Sequence, residues 1–386
     1  STAIVPSGAS TGSYEAHELR DQNKDYLNKS VFNAVENVNS KVNKLLKGMD
    51  PYDQLNIDNT LIELDGTDNK SKIGANSILS VSIANCKAAA KSKKKEIFEY
   101  LSTDKSYKLP YPLMNIVNGG VHANNSLNIQ EFMIRPDGAE TFQECMQYGF
   151  LTIQNLKKNL LKKNFNTNVG DEGGFAPNLN SDEEAIELIL DSIISSGFTP
   201  GKHISICLDV ASNELYDGSR YSLVNNKKFK SSELLNYYED LVKKYPIKSL
   251  EDPVFEDDWD LWTNLTNLLG EKIQIVGDDL FVTNYSRLLK GIENTSANSI
   301  LIKLNQIGTL SETLKTIELA QKKGLSTIIS HRSGDTEDTF IADLAIATKS
   351  NQIKTGSLAR SERVAKYNRL LRIEENLKKP GMCEIK

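Results

Sequence analysis

Three acidic residues close three successive apolar runs. Ile204 to Leu208 ends at Asp209, Ile247 to Leu250 ends at Glu251, and Ile273 to Val276 leads through Gly277 to Asp278. Taken singly, each acid could cap the next helix or pair with a surface lysine. Three carboxylates brought to one place without a cation would repel one another strongly. An all-oxygen trio suits Mg²⁺, which binds few protein carboxylates and completes its octahedron with water or substrate oxygens. Zinc is disfavoured, because none of the 4 histidines has HxxxH spacing. Two lysines end the later runs: Ile300 to Ile302 stops at Lys303, and Gln352-Ile353 at Lys354. Lysine is rarely buried without a partner, so these are either paired with the acids or catalytic. A metal and a second cation nearby would lower the Lys303 pKa below its ordinary ~10.4 and let it act as a base.

Other groups complete a possible reaction site. Ser330-His331-Arg332-Ser333-Gly334 supplies the guanidinium, hydroxyls and open backbone that a phosphate needs. The Ser7 to Gly12 loop adds small side chains and free amides, and alone it could be a plain linker. Val169-Gly-Asp-Glu172-Gly-Gly174 sets an acid among glycines that free the backbone to present it. Asn118-Gly-Gly-Val-His122 and Gln130-Glu131-Phe132 contribute a histidine, an amide and another acid. Acid, base, metal ligands and an anion cradle on one rim suggest proton abstraction beside a carboxylate, with the enolate held by metal.

The elements that must carry these residues alternate. The polar ends at 209, 251, 278, 303, 331 and 354 are separated by 42, 27, 25, 28 and 23 residues. All but the first separation fit one strand, one helix and two short loops. Helices are expected over 231–245, 259–269, 285–294, 311–323 and 337–348, with Ser231 and Ser311 at N-cap positions. This order predicts a parallel sheet, and at least six units favour a closed α/β barrel. In a barrel, every strand delivers its C-terminal residue to one rim. Residues 1–97 read as a smaller domain with a strand-like start over 2–5 and helical stretches over 33–46 and 74–91. A Pro-bearing passage marks 98–112 as a linker, leaving 113–386 for the barrel.

The 386 residues carry a net charge of −5, which argues against a phosphate-backbone binder. No apolar run approaches the ~18 residues of a membrane helix. No leader pattern opens the sequence. The 4 cysteines lie far apart, without CxxC, as in a reducing, cytoplasmic setting.

In order along the chain, VPSGASTGSYEAHELRD, NGGVHANNSLNIQEFMI, VGDEGGFAPN, LDVASNEL, SLEDPVFEDDW, VGDDLFVTN, ILIKLNQIGTL, SHRSGDTEDTFIADLA and IKTGSLARSERVAKYNRLLRIEE are highly specific together. They resemble the enolase (phosphopyruvate hydratase) family, of the bacterial type, over nearly the whole length. The resemblance implies a TIM-like enolase-type barrel behind a smaller N-terminal α+β capping domain, whose opening stretch in the family lies before Ser1. It implies a lyase of glycolysis and gluconeogenesis, converting 2-phosphoglycerate to phosphoenolpyruvate and water with two Mg²⁺ ions per site. That such sites pair a Lys or His base with Mg²⁺ is general to the superfamily. The implied metal ligands are Asp209, Glu251 and Asp278, with Ser10 for the second ion. The implied base is Lys303 and the acid Glu172, supported by Glu131 and Gln130. Arg332 and Ser333 would bind phosphate, Lys354 the carboxylate, and His122 and His331 would line the pocket, His331 beside the reacting groups. A cytoplasmic homodimer or larger homo-oligomer is expected. A superfamily member acting on another carboxylate, or an inactive binding relative, would have less use for the phosphate-binding segments or for intact Glu172 and Lys303.

Overall fold

The computed structural model describes residues 1–8, 11–223, 227–378 and 380–385. The strand expected over 2–5 does not form. Instead Ser7 and Gly334 exchange two backbone hydrogen bonds of 2.9 Å, an isolated bridge to the anion-cradle segment. A strand depends on a partner edge more than on local preference, and here only one residue finds one.

Helices dominate the described part of residues 1–101. The helical stretch over 33–46 is divided into α1 (Phe32–Glu36), a π-helical turn (Asn37–Val42) and α2 (Asn43–Leu46). The buried Asn37 side chain donates to the Ile73 carbonyl across this turn. α3 (Gln54–Asp65) begins at Asp53, which accepts from Asn56 N, and stops at left-handed Gly66. α4 (Ala75–Ser92) and α5 (Ile97–Leu101) follow. The stretch 98–112 thus holds most of α5 and the first residues of β1.

Ten strands come next. Eight close into a barrel: β1 (Tyr111–Asn118), β2 (Glu131–Arg135), β3 (Ser205–Asp209), β6 (Ile247–Glu251), β7 (Gln274–Gly277), β8 (Ser299–Ile302), β9 (Ser326–Ser330) and β10 (Gln352–Lys354). The order around the barrel is β1-β10-β9-β8-β7-β6-β3-β2. The hairpin β4 (Tyr221–Leu223) and β5 (Lys227–Phe229) lies between β3 and β6, which accounts for the long first separation.

The barrel departs from the all-parallel expectation at one strand. β2 runs antiparallel to both neighbours. Its link from β1 holds a single 3₁₀ turn (Gly120–His122), too little for the helical crossover that a parallel pair requires. The reversal changes which residue reaches the active rim. Glu131, first in β2, pairs with Asp209, last in β3. Arg135, at the other end of β2, sinks into the barrel floor and donates to Gln274 at 2.6 Å and Gln352 at 3.1 Å.

Leu113, Met133, Cys207, Val276, Leu301 and Ile328, one from each of six strands, form a buried apolar layer inside the barrel. The larger core lies between the strands and the outer helices α6 (Phe142–Lys162), α7 (Asp182–Ser195), α8 (Ser231–Lys244), α9 (Trp259–Leu269), α10 (Tyr285–Asn294), α11 (Leu304–Ile307), α12 (Leu310–Lys322), α13 (Phe340–Ala347) and α14 (Ser361–Asn376). Ser231 and Ser311 are not the caps. Ser231 is the first residue of α8, and the α12 cap is Thr309, which accepts from Glu312 N. Ser311 instead gives its amide and hydroxyl to buried Asp58 of α3, at 2.9 and 2.6 Å. The start of a barrel helix is therefore held by the N-terminal helices.

Candidate active site

The strand ends converge on a cleft of about 500 Å³ at the barrel mouth. His122, Gln130, Glu131, Glu172, Asp209, Asp278, Lys303, His331, Arg332, Ser333 and Lys354 all line it. Glu251 lies just beneath, reached by Lys354. Ser10 falls outside the described residues.

The two lysines lie on the acids. Lys354 Nζ is 2.8 Å from Glu251 Oε1, 2.9 Å from Asp209 Oδ2 and 3.1 Å from Glu131 Oε1. Lys303 Nζ donates to Asp278 Oδ2, whose other oxygen accepts from Gln306 Nε2 at 2.8 Å. Burial works against ionising Asp209, but the Lys354 ammonium outweighs it and holds that carboxyl below its ordinary range. Glu251 is held well above its range, first by burial and then by Asp209. A lowered Lys303 pKa is the expectation for a metal-bound site, and the protein groups by themselves set it the other way. Burial pushes it down, yet the Asp278 carboxylate outweighs burial and raises it, while Arg332 and Lys354 act with burial.

The acids can hold a cation. Among the described residues, Glu251 Oε2 and Glu131 Oε2 are buried oxygens without a hydrogen-bond partner, an uncommon state for buried polar atoms. Asp209, Glu251 and Asp278 offer only hard oxygens, which suit a divalent cation, but they are not one of the trios that the structure draws within 4.8 Å of one another among the described residues. A neighbouring group was not foreseen from sequence. Asp252, Asp278 and Asp279 bring three carboxylate oxygens within 4.8 Å of one another. Asp252, at φ 41°, accepts the amides of Asp278 at 2.9 Å and Asp279 at 2.8 Å and so fixes how Asp278 enters the cleft. Burial and Asp278 push Asp279 up to about 8.

On the other side of the cleft, Glu172 is positioned by close packing rather than by a free backbone. Phe175 pairs with β1. A Cβ on Gly173, at φ 85°, would stand 2.7 Å from the Ala359 carbonyl, and one on Gly174 2.7 Å from Asn118. Glu172 Oε2 accepts from Asn115 at 3.0 Å, and Oε1 lies 3.3 Å from His331 Nε2 and 3.8 Å from His122 Nδ1. Burial opposes its ionisation, but the facing histidines and Arg363 hold the carboxyl well below its ordinary range. Burial lowers His331 itself to about 4, although the Glu172 carboxylate acts in the opposite direction. Glu131 is held well above its range by burial and by the Glu172 charge.

Arg332 is buried and grips Glu15 through two contacts, Nη1 to Oε2 at 2.8 Å and Nη2 to Oε1 at 3.1 Å. Asn305 accepts from the same guanidinium at 3.1 Å. Glu15, Gln306 and Arg363 lie in the characteristic stretches without a role assigned from sequence, Asn115 lies within β1, and the fold brings all four here.

A model of the enolase N-terminal domain matches residues 1–101, and a model of the enolase C-terminal TIM barrel domain matches residues 106–384. The chain belongs to the enolase family. An enolase from Pelagibacter ubique (strain HTCC1062) is 58% identical over 387 aligned residues, covering 100% of this chain and 92% of that relative. The enolase activity is that of a lyase, phosphopyruvate hydratase, and it uses a divalent metal. Among the described residues no helix is long and apolar enough to cross a membrane.

Proposed function

We propose that Lys303 removes the C2 proton of 2-phosphoglycerate and that Glu172, backed by Glu131, gives a proton to the departing C3 hydroxyl. The observation that carries this division is placement. Lys303 follows β8, whereas Glu172 is packed against β1, with β9 and β10 between them. A base and an acid thus enter one cleft from different sides, as a two-ended elimination needs.

The electrons of the C2–H bond pass into the enolate, and the C3–O bond then breaks with the oxygen leaving as water. Glu172 would give a proton to the leaving oxygen. In the reverse direction ionised Glu172 takes a proton from water. Lys354 would meet the substrate carboxylate, and Arg332 and Ser333 the phosphate. The two-pronged grip of Arg332 on Glu15 supports this reading, since the same fork suits a two-oxygen anion. His122 and Gln130 would close the pocket wall.

Asp209, Glu251 and Asp278 would hold the tight Mg²⁺, with Ser10 for a second ion, and the metal charge would stabilise the doubly negative enolate. A cytoplasmic homo-oligomer, dimer or larger, belongs to the same reading, and the free, buried Cys86, Cys145, Cys207 and Cys383 suit a reducing compartment. The test is a continuous absorbance assay for phosphoenolpyruvate formed from 2-phosphoglycerate. Turnover that survives both Lys303→Ala and Glu172→Gln would refute the assignment.

A further inference from the structure

The guanidinium of Arg363, on α14, is buried against the back of the acid side of the cleft. It donates to His331 Nδ1 at 2.5 Å, to the carbonyls of Arg332 at 2.6 Å and Ser333 at 2.5 Å, and to that of Asp171 at 3.3 Å. These partners adjoin the groups assigned to phosphate and proton transfer. The side chain is held tightly, since a Cβ at Gly356 would stand 2.8 Å from Arg363 Cδ.

We propose that Arg363 is a positioning residue that fixes His331 as its Nε2–H tautomer and aims that proton at Glu172. A guanidinium has only donors and keeps its charge, so the ring nitrogen facing it must offer a lone pair. With Nδ1 as acceptor, the single proton of a neutral imidazole sits on Nε2. Nε2 is the nitrogen 3.3 Å from Glu172 Oε1. The opposite tautomer would set N–H against N–H at Arg363 and a lone pair against a carboxylate at Glu172. A doubly protonated ring would face the Arg363 cation directly. Both alternatives are therefore opposed by the same side chain. Burial of His331 acts in the same sense by favouring the neutral ring.

The catalytic consequence rests on the role proposed for Glu172: one oxygen of that carboxylate faces His331 Nε2 at 3.3 Å, short of a hydrogen bond among the described residues, and the other accepts from Asn115. The tautomer itself does not depend on that role, and it can be measured without turnover.

The test is long-range ¹H–¹⁵N correlation NMR of the full chain labelled at histidine. Only 4 histidines are present, and His331→Gln assigns the signal by its loss. In the unaltered protein near neutral pH, His331 should show a protonated Nε2 and an unprotonated Nδ1. A protonated Nδ1 would overturn the proposal whatever the activity. Arg363→Met should mix the two tautomers, and Arg363→Lys, which restores a donor, should return the single Nε2–H form. A pure Nε2–H ring in the Met variant would show that another group fixes it. If the Met variant does not fold, the unaltered protein and the Lys variant still decide. Should the ring be Nε2–H while Glu172→Gln leaves dehydration untouched, the role of Glu172 falls and the tautomer assignment stands.

Discussion

Lys354 Nζ lies 2.8 Å from Glu251 Oε1, although β10 and β6 stand diametrically across the barrel, with three strands between them on either side. The ammonium spans the mouth and reaches Asp209 and Glu131 as well. Burial would push Lys354 down, but these carboxylates hold its pKa well above the ordinary lysine value, with Asp209 the largest contributor among them. The cation at the centre of the mouth thus holds two of the three acids proposed for the metal.

Competition between them is measurable. Asp209→Asn should weaken Mg²⁺ binding, because it removes one formal charge at nearly constant shape. Lys354→Met should bind Mg²⁺ at least as tightly as the unaltered protein while raising KM. Titration calorimetry in the absence of substrate checks both, and unchanged Mg²⁺ affinity in Asp209→Asn would remove that residue from the ligand set. Exhaustive chelation should abolish turnover.

His331 gives a pH signature in stability. Its folded pKa of about 4 lies below its ordinary 6.5, so below pH 6.5 the unfolded chain takes up a proton that the folded chain refuses. The stabilisation is complete above pH 6.5 and is lost as pH falls toward 4. Between pH 7.5 and 4.5 this single group should cost about 2–3 kcal/mol. Urea unfolding at the two pH values should show a loss smaller by that amount in His331→Gln. An equal loss in both proteins would mean that the ring titrates normally.

Asp58 should matter to stability and not to chemistry. It is fully buried and accepts two bonds from the start of α12 and a third from Gln54. Asp58→Ala should destabilise the fold by about 2–3 kcal/mol by leaving buried donors unpaired. Its kcat should stay within about twofold, since the residue is remote from the reacting groups. A variant as stable as the parent would mean that water replaces the carboxylate.

The strand–helix rhythm was legible because each barrel strand is a short apolar run ending in a polar residue. Asp209, Glu251, Lys303 and Lys354 could therefore be placed on one rim from spacing alone. The reversal of β2 was not legible: nothing within Glu131–Arg135 marks its direction, which is set by the short link from β1 and by pairing with β3. Asp252 and Arg363 escaped notice for a related reason. Asp252 acts through the backbone of Asp278, and Arg363 through His331, so the stretches that contain them give neither a role until the chain is folded. The raised Lys303 pKa also follows from one contact, with Asp278, that spacing could not supply.

Glu172→Gln separates the acid from the base. It should slow dehydration ~10²–10⁴-fold while leaving C2 proton exchange measurable, because abstraction does not require the acid. Loss of exchange together with dehydration would place Glu172 in the first step.

Exchange of the C2 proton of 2-phosphoglycerate with deuterated solvent, followed by NMR in Lys303→Ala, tests the central assignment most directly. Lys303 places its amine beside Asp278 at the end of β8, and its loss should abolish exchange to the uncatalysed level while Mg²⁺ still binds. Exchange at the rate of the unaltered protein would contradict the account, and the base would then be another residue.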